Sequence, residues 1–121
     1  MKVIFILIAL VLTLYYLLTH TSLILMFLTV SGRSMFPTLT EGDKLTSVRT
    51  YLCKLNVGDI VVAKPYDDGC ENRLVIKRIA KKDGDYYFYL LGDNPDESYD
   101  SRNYGWVSKK EIVAKVVTRK S

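Results

Sequence analysis

Histidine is nearly absent from this 121-residue sequence, which limits the hydrolytic sites that the chain can build. His20 is the only histidine. It follows an apolar N-terminal run, where an amphipathic side chain at a membrane interface is the ordinary explanation. No usable histidine therefore remains for a Ser-His-Asp triad, and a nucleophilic serine would need a lysine, a carboxylate or an amino terminus as its base.

Cysteine is equally scarce, which bears on metal binding and on disulfides. Cys53 and Cys70 are the only two, and with one histidine they cannot supply the four ligands of a usual zinc site. We therefore expect no metal and no cofactor. Two cysteines at this spacing form no recognisable disulfide framework, and pairing would require an oxidising compartment. The sequence leaves their pairing open.

Blocks of like charge are also missing. The chain has 17 Lys and Arg against 13 Asp and Glu, a formal net charge of +4, and the two signs are interspersed. This pattern favours a solvated surface over a nucleic-acid-binding stripe, so we expect no nucleic-acid partner.

The N-terminus carries a long apolar segment. Residues 3–18 contain no charge, and with the polar residues 19–22 they reach the length of about 20 residues that a membrane-spanning helix needs. A cleaved signal peptide would begin similarly, but no small-x-small cleavage site follows. We therefore expect a single-pass anchor over residues 1–22 and a domain over 23–121. Lys2 before the apolar run favours a domain on the extracytoplasmic side, with the lipid bilayer as a partner.

Beyond residue 30 the pattern is that of a mainly β domain, with short segments separated by turn signals. Residues 59–63 and 73–79 are rich in β-branched side chains and predict a hairpin with a long loop. The Asp-Gly pair at 83–84 predicts a second hairpin, between 76–79 and 86–91. A last strand is expected at 111–117.

One serine lies where the backbone must turn. Ser34 is flanked by Gly32, which permits unusual backbone angles, and by Pro37, which restricts the residue before it. Taken alone, this stretch predicts only a loop.

Five blocks in a fixed order nevertheless resemble the signature of the type I signal peptidases over roughly residues 1–117: SGRSMFPTL, EGDKL, VGDIVV, VIKRI and GDNPDESYDSRNYGWV. The resemblance implies a compact antiparallel β domain behind one transmembrane helix, and a membrane-bound serine endopeptidase that cleaves signal peptides from exported precursors. Large members insert a second domain where this chain has only residues 63–74, which implies a minimal single-domain form.

The same resemblance implies that Ser34 is the nucleophile and Lys77 the general base of a Ser/Lys dyad. A lysine can act as a base only if loss of water lowers its pKa from about 10.4. Apolar neighbours of Lys77 in the sequence favour such burial, although a strand lysine would otherwise be read as outward-facing.

Other site residues are implied by the resemblance as well. Ser98 would hydrogen-bond the lysine amine, Asp100 and Arg102 would form an ion pair that shapes the site, and Arg78 with Asp93 would form another, although each pair could be an ordinary surface bridge. The substrate would bind as an extended strand. Its pockets would be lined by Leu28, Val30, Met35, Leu39 and Ile76, which could equally be core residues.

Two positions depart from the family pattern. Gly32 occupies a position where some members have a serine that helps to bind the oxyanion, so backbone N–H groups, chiefly that of Ser34, would serve instead. The block around Lys77 lacks the glycine that usually follows it.

Three other functions fit parts of the sequence. A dedicated processing peptidase acting on one precursor, such as a pilin or a metalloenzyme, would use the same residues. Self-cleaving repressors share the Ser/Lys chemistry, but they are cytosolic and carry a DNA-binding domain, which the apolar N-terminus argues against. A membrane-tethered β module that only binds peptides would not require both Ser34 and Lys77.

Overall fold

The computed structural model describes residues 1–121, apart from the side chain of Ser22. Its elements, in chain order, are α1 (Lys2–Ile24), β1 (Leu25–Thr29), β2 (Lys44–Arg49), β3 (Ile60–Ala63), β4 (Val75–Asp83), β5 (Tyr87–Leu91), α2 (Ser101–Tyr104), β6 (Val107–Ser108) and β7 (Ile112–Lys120). Short 3₁₀ turns cover Thr50–Leu52, Asp68–Cys70, Pro95–Glu97 and Lys109–Glu111.

Helix α1 is the predicted apolar helix. At 1.5 Å per residue its 23 residues extend about 35 Å, enough to cross a hydrocarbon core of about 30 Å. The segment Lys2–Thr21 qualifies as a membrane span by length and composition, and none of it is buried against the domain. The helix ends at Ile24 instead of residue 22, and Leu25 adopts extended backbone angles (φ −104°, ψ 149°). The apolar residues 25–29 that follow the helix form strand β1.

A single antiparallel sheet of seven strands, in the order β1-β2-β7-β3-β4-β5-β6, forms the domain. The predicted mainly β fold is therefore confirmed. Both hairpins are also confirmed: β3 pairs with β4, and β4 pairs with β5 across a turn in which Gly84 has φ +58°. The last strand runs three residues past its predicted end, because its C-terminal half pairs with β2.

The apolar side chains form two buried clusters. The larger contains Leu55, Val61, Ala63, Ile79, Phe88, Leu90, Val107 and Ile112, and the smaller contains Val30, Met35, Leu39 and Leu45. Strand β4 contributes to both, since Ile79 lies in the larger cluster and Ile76 packs against the smaller. Because side chains alternate along a strand, Lys77 shares the face of Ile79 and points inward.

The two cysteines are free thiols in this structure. Cys53 is half-buried and Cys70 is buried. The structure therefore contains no disulfide between Cys53 and Cys70, a pairing that the sequence left open.

Candidate active site

Ser34 lies in the loop between β1 and β2, which is closed at its base and anchored by apolar side chains. Val30 donates to the Asp43 carbonyl (2.8 Å), and Gly42 donates back to the Val30 carbonyl (2.9 Å). Met35 and Leu39 are 2% and 3% exposed and hold the loop against the smaller cluster. Ser34, directly before Met35, is half-buried. Its backbone is therefore held close to the core while its side chain remains accessible.

Lys77 is buried in the middle of β4, with 4% of its surface exposed. Val61 lies directly opposite it on β3. Burial lowers the pKa of the Lys77 amine from its usual value, and the negative charge of Asp100 opposes this shift. The reading of Lys77 as an outward-facing strand lysine is therefore wrong. The amine occupies an environment that favours its neutral form, which is the form a general base requires.

Ser34 and Lys77 line the same cleft, whose volume is about 210 Å³. The other lining residues are Leu28, Thr29, Val30, Ser31, Gly32, Met35, Val62, Leu74, Val75 and Ile76. Of the five positions expected to form substrate pockets, Leu28, Val30, Met35 and Ile76 are in this lining. Leu39 lies instead in the smaller core cluster. The fold thus brings together two polar groups that are 43 positions apart in the sequence and surrounds them with apolar side chains.

Asp100 organises the polar side of the site. Its carboxylate is fully buried and accepts hydrogen bonds from the Ser98 hydroxyl (2.7 Å), the Gly92 N–H (2.9 Å) and the Arg102 guanidinium (2.8 and 3.0 Å). Burial opposes ionisation of Asp100, but bonds from Arg102, Gly92 and Ser98 outweigh it and hold the carboxyl pKa well below its usual range. Because the Ser98 hydroxyl donates its hydrogen bond to Asp100, the lone pairs of its oxygen remain free to accept a hydrogen bond from an amine.

A second ion pair joins β4 to Asp93, just after β5, and Asp93 in turn accepts from the loop that carries Ser34. Arg78 donates to both oxygens of Asp93 (2.9 and 2.7 Å), and Thr38 donates to the same carboxylate (2.6 Å). The hydrogen bond from Arg78 is the main cause of a lowered Asp93 pKa. Both ion pairs expected from the sequence are therefore present. Arg78–Asp93 fixes the strand of Lys77 relative to the loop of Ser34.

Sequence reasoning missed Gly92. A Cβ at this position would lie 2.1 Å from Ser98 Oγ and 2.6 Å from the Ser34 carbonyl oxygen. Only a residue without a side chain allows the strand end to pass between these two groups. The sequence feature that could have indicated this role is that Gly92 is the first residue of the GDNPDESYDSRNYGWV block.

Replacing Gly92 with alanine is expected to lower the activity of a site at Ser34 by about 10²-fold, because the added carbon must displace the Ser34 backbone or Ser98, and small displacements in a site are costly. Gly69→Ala is the matched control, since the three atoms nearest to its Cβ would all belong to the exposed Tyr99 side chain, which can move. Steady-state kinetics of the two variants check this. Equal activities would contradict the close approach at Gly92.

Replacing Asp100 with asparagine is expected to lower the free energy of unfolding by about 2–4 kcal/mol, because buried donors lose a charged acceptor. The Asp100 charge also raises the Lys77 pKa. Its removal should therefore move the ascending limb of the pH–activity profile to lower pH. Asp83→Asn, at the exposed end of β4, is the control. Denaturant titration and a pH series test both effects, and an unmoved limb in a folded Asp100→Asn protein would contradict the coupling.

A serine and a buried lysine in one cleft fit the site of a peptidase, and the β domain that carries them follows a helix long enough to cross a membrane. Comparison with known proteins agrees, because the family model described as "Signal peptidase, peptidase S26" matches residues 1–86 and 81–120. The chain therefore belongs to the S26 signal peptidase family, as the five sequence blocks predicted.

Three relatives illustrate the range of the family. Mitochondrial inner membrane protease subunit 1 of Schizosaccharomyces pombe is 39% identical over 113 residues, covering 74% of this chain and 69% of that protein. The protein of the same name from Xenopus tropicalis is 31% identical over 110 residues, covering 74% and 65%. Thylakoidal processing peptidase 1 of Arabidopsis thaliana is 26% identical over 136 residues, covering 74% and 40%. This chain thus spans less than half of the thylakoidal enzyme.

Proposed function

We propose that this protein is a membrane-bound serine endopeptidase that removes signal peptides from exported precursor proteins, with Ser34 as nucleophile and Lys77 as general base. The observation that carries the proposal is the buried Lys77 amine, with a lowered pKa, in the same cleft as Ser34. Burying a lysine costs folding free energy, so fully buried lysines are rare in proteins. Amines with a shifted pKa are concentrated at functional sites.

The chemistry follows from these two groups. The neutral Lys77 amine takes the proton of the Ser34 hydroxyl as its oxygen attacks the scissile carbonyl carbon, and the carbonyl π electrons move onto the oxygen. As the intermediate collapses, the C–N bond breaks and the Lys77 ammonium returns the proton to the leaving amine. Water then attacks the acyl-enzyme carbonyl carbon while Lys77 takes a proton from it. The bond between this carbon and the Ser34 oxygen breaks, and the Lys77 ammonium returns the proton to Ser34, which frees the carboxyl product and restores the serine hydroxyl.

The lining of the cleft supports the substrate class. Leu28, Val30, Met35 and Ile76 present apolar surface next to Ser34, and a volume of about 210 Å³ suits small side chains before the cleaved bond. A signal peptide bound in extended form would offer such side chains at alternate positions.

The experiment that tests the proposal is incubation of the purified full-length chain, in detergent, with a panel of secretory precursors, followed by N-terminal sequencing of the products. A new N-terminus after small residues at a signal-peptide boundary, absent with Ser34→Ala, is the expected result. Cleavage of a single precursor would indicate the dedicated processing peptidase. Binding without cleavage would indicate the non-catalytic module.

We also propose that the domain lies on the extracytoplasmic side of the membrane, since Lys2 precedes the apolar helix. Externally added protease should therefore digest the domain in intact bacterial spheroplasts expressing the chain. A cytoplasmic marker protein serves as the integrity control. A domain that is protected until the membrane is lysed would reverse the topology.

A further inference from the structure

The segment 92–94 runs along the loop that carries Ser34 and makes a series of contacts with it. The Asp93 N–H donates to the Met35 sulfur (3.4 Å), and the Asn94 N–H donates to the Ser34 carbonyl (2.9 Å). The Asn94 side chain then donates from Nδ2 to the Arg33 carbonyl (3.0 Å). Asn94 therefore binds the carbonyl groups of both Arg33 and Ser34.

The side chain of Asn94 does not cap the turn that follows it. Asn94 precedes the 3₁₀ turn Pro95–Glu97 as its N-cap residue, where an asparagine side chain usually accepts from the backbone N–H groups of the turn. No side-chain cap bond is made at this turn. Instead, the amide group is directed at the loop of Ser34.

The bond to Arg33 has a consequence for the neighbouring N–H. The Arg33 carbonyl and the Ser34 N–H belong to one peptide group, which is planar and trans, so the two point in opposite directions. The Arg33 carbonyl accepts from the Phe36 N–H of its own turn (3.1 Å) and from Asn94 Nδ2 (3.0 Å), so Asn94 adds a second donor, from another segment, that fixes the N–H on the other side. Among the described residues, none accepts a hydrogen bond from the Ser34 N–H. The group is an oriented donor without a partner, at a residue that lines the cleft.

We propose that Asn94 is a positioning residue that aims the Ser34 N–H at the oxyanion of the tetrahedral intermediate. The inference rests on the proposed function, in which the Ser34 N–H binds this oxyanion. Such donors accelerate a reaction because they are oriented before charge develops and need no reorganisation when it does. A peptide group held by a side chain from another segment meets that requirement.

The test uses the purified full-length chain with two peptides that differ in one atom. One carries small residues before a normal scissile amide, and the other carries sulfur in place of the scissile carbonyl oxygen. Sulfur is a weaker hydrogen-bond acceptor, so the ratio of kcat for the oxygen and sulfur peptides reports how well the oxyanion is bound. Asn94→Asp keeps the shape and the backbone N–H but removes the Nδ2 donor, and Asn94→Ala removes the whole amide.

Glu97→Gln is the matched control. It removes the ion pair between Arg33 and Glu97 (3.2 Å), which joins the same two segments but does not touch the peptide group. With the oxygen peptide, we expect both Asn94 variants to lose about 10- to 100-fold in kcat with KM within about twofold, somewhat less than complete removal of an oxyanion donor. The oxygen-to-sulfur ratio should fall by a similar factor, and Glu97→Gln should change neither quantity.

Three results would overturn the inference: unchanged kcat in Asn94→Asp, a lower kcat with an unchanged oxygen-to-sulfur ratio, or an equal loss in Glu97→Gln. Thermal unfolding identifies a variant that is not folded, in which case the isosteric Asn94→Asp decides alone. Ser34→Ala, measured in parallel, distinguishes failure of the proposed function from failure of the role of Asn94. Activity in Ser34→Ala rejects the proposed function itself, whereas an inactive Ser34→Ala beside a fully active Asn94→Asp rejects only the role of Asn94.

Discussion

Ser34→Ala and Lys77→Met should each reduce kcat/KM by about 10³-fold or more, because removing either member of a nucleophile–base pair leaves only binding and oxyanion contributions. Methionine nearly matches the volume of the lysine stem, so the buried site on β4 stays filled without an amine. Lys77→Arg should fail as well, since a guanidinium remains protonated and cannot take the serine proton. Initial rates on a precursor or peptide substrate measure the effect.

The control for these substitutions is a lysine on the same strand that lies outside the cleft. Lys81 is exposed, four residues beyond Lys77, and Lys81→Met should retain full activity. Circular dichroism and thermal unfolding establish that each variant is folded. A folded Lys77→Met or Ser34→Ala protein that still cleaves at a comparable rate would exclude the dyad and require another nucleophile or base.

The activity of the unmodified protein should rise with pH through the lowered pKa of Lys77, since only the neutral amine accepts a proton. The sign for stability follows from the same shift. Between the folded-state pKa and the ordinary value of 10.5, the unfolded chain binds more protons than the folded chain, so the free energy of unfolding increases with pH in that window. Below it, the folded protein carries a buried ammonium at a cost.

Lys77→Met removes that cost, so it should raise Tm at neutral pH while abolishing activity, and it should flatten the dependence of Tm on pH in this window. A functional group whose removal stabilises the fold is typical of active sites. His20→Gln is the control for the activity profile, because His20 lies in α1 and stacks on Tyr16, away from the cleft. An ascending limb lost in His20→Gln, or a lower Tm in Lys77→Met, would contradict the assignment of the base.

Several elements of the fold could be predicted from local sequence because their causes are local. The Asp-Gly pair specifies the turn between β4 and β5, and β-branched residues mark β3 and the start of β4. The extent of other strands has no local cause. Residues 25–29 form a strand because β2 offers them a partner, and β7 extends to Lys120 for the same reason.

The sequence by itself determined the family, the apolar helix and the mainly β architecture, because these depend on residue types and on their order along the chain. Only the tertiary structure decided that Lys77 points inward, that Leu39 belongs to the core and not to the cleft, and that Gly92 and Asn94 lie against the backbone of Ser34. Each of these depends on how segments distant in the sequence pack together. The pKa of a lysine is likewise set by the solvent that its surroundings exclude, and those surroundings exist only once the sheet has formed.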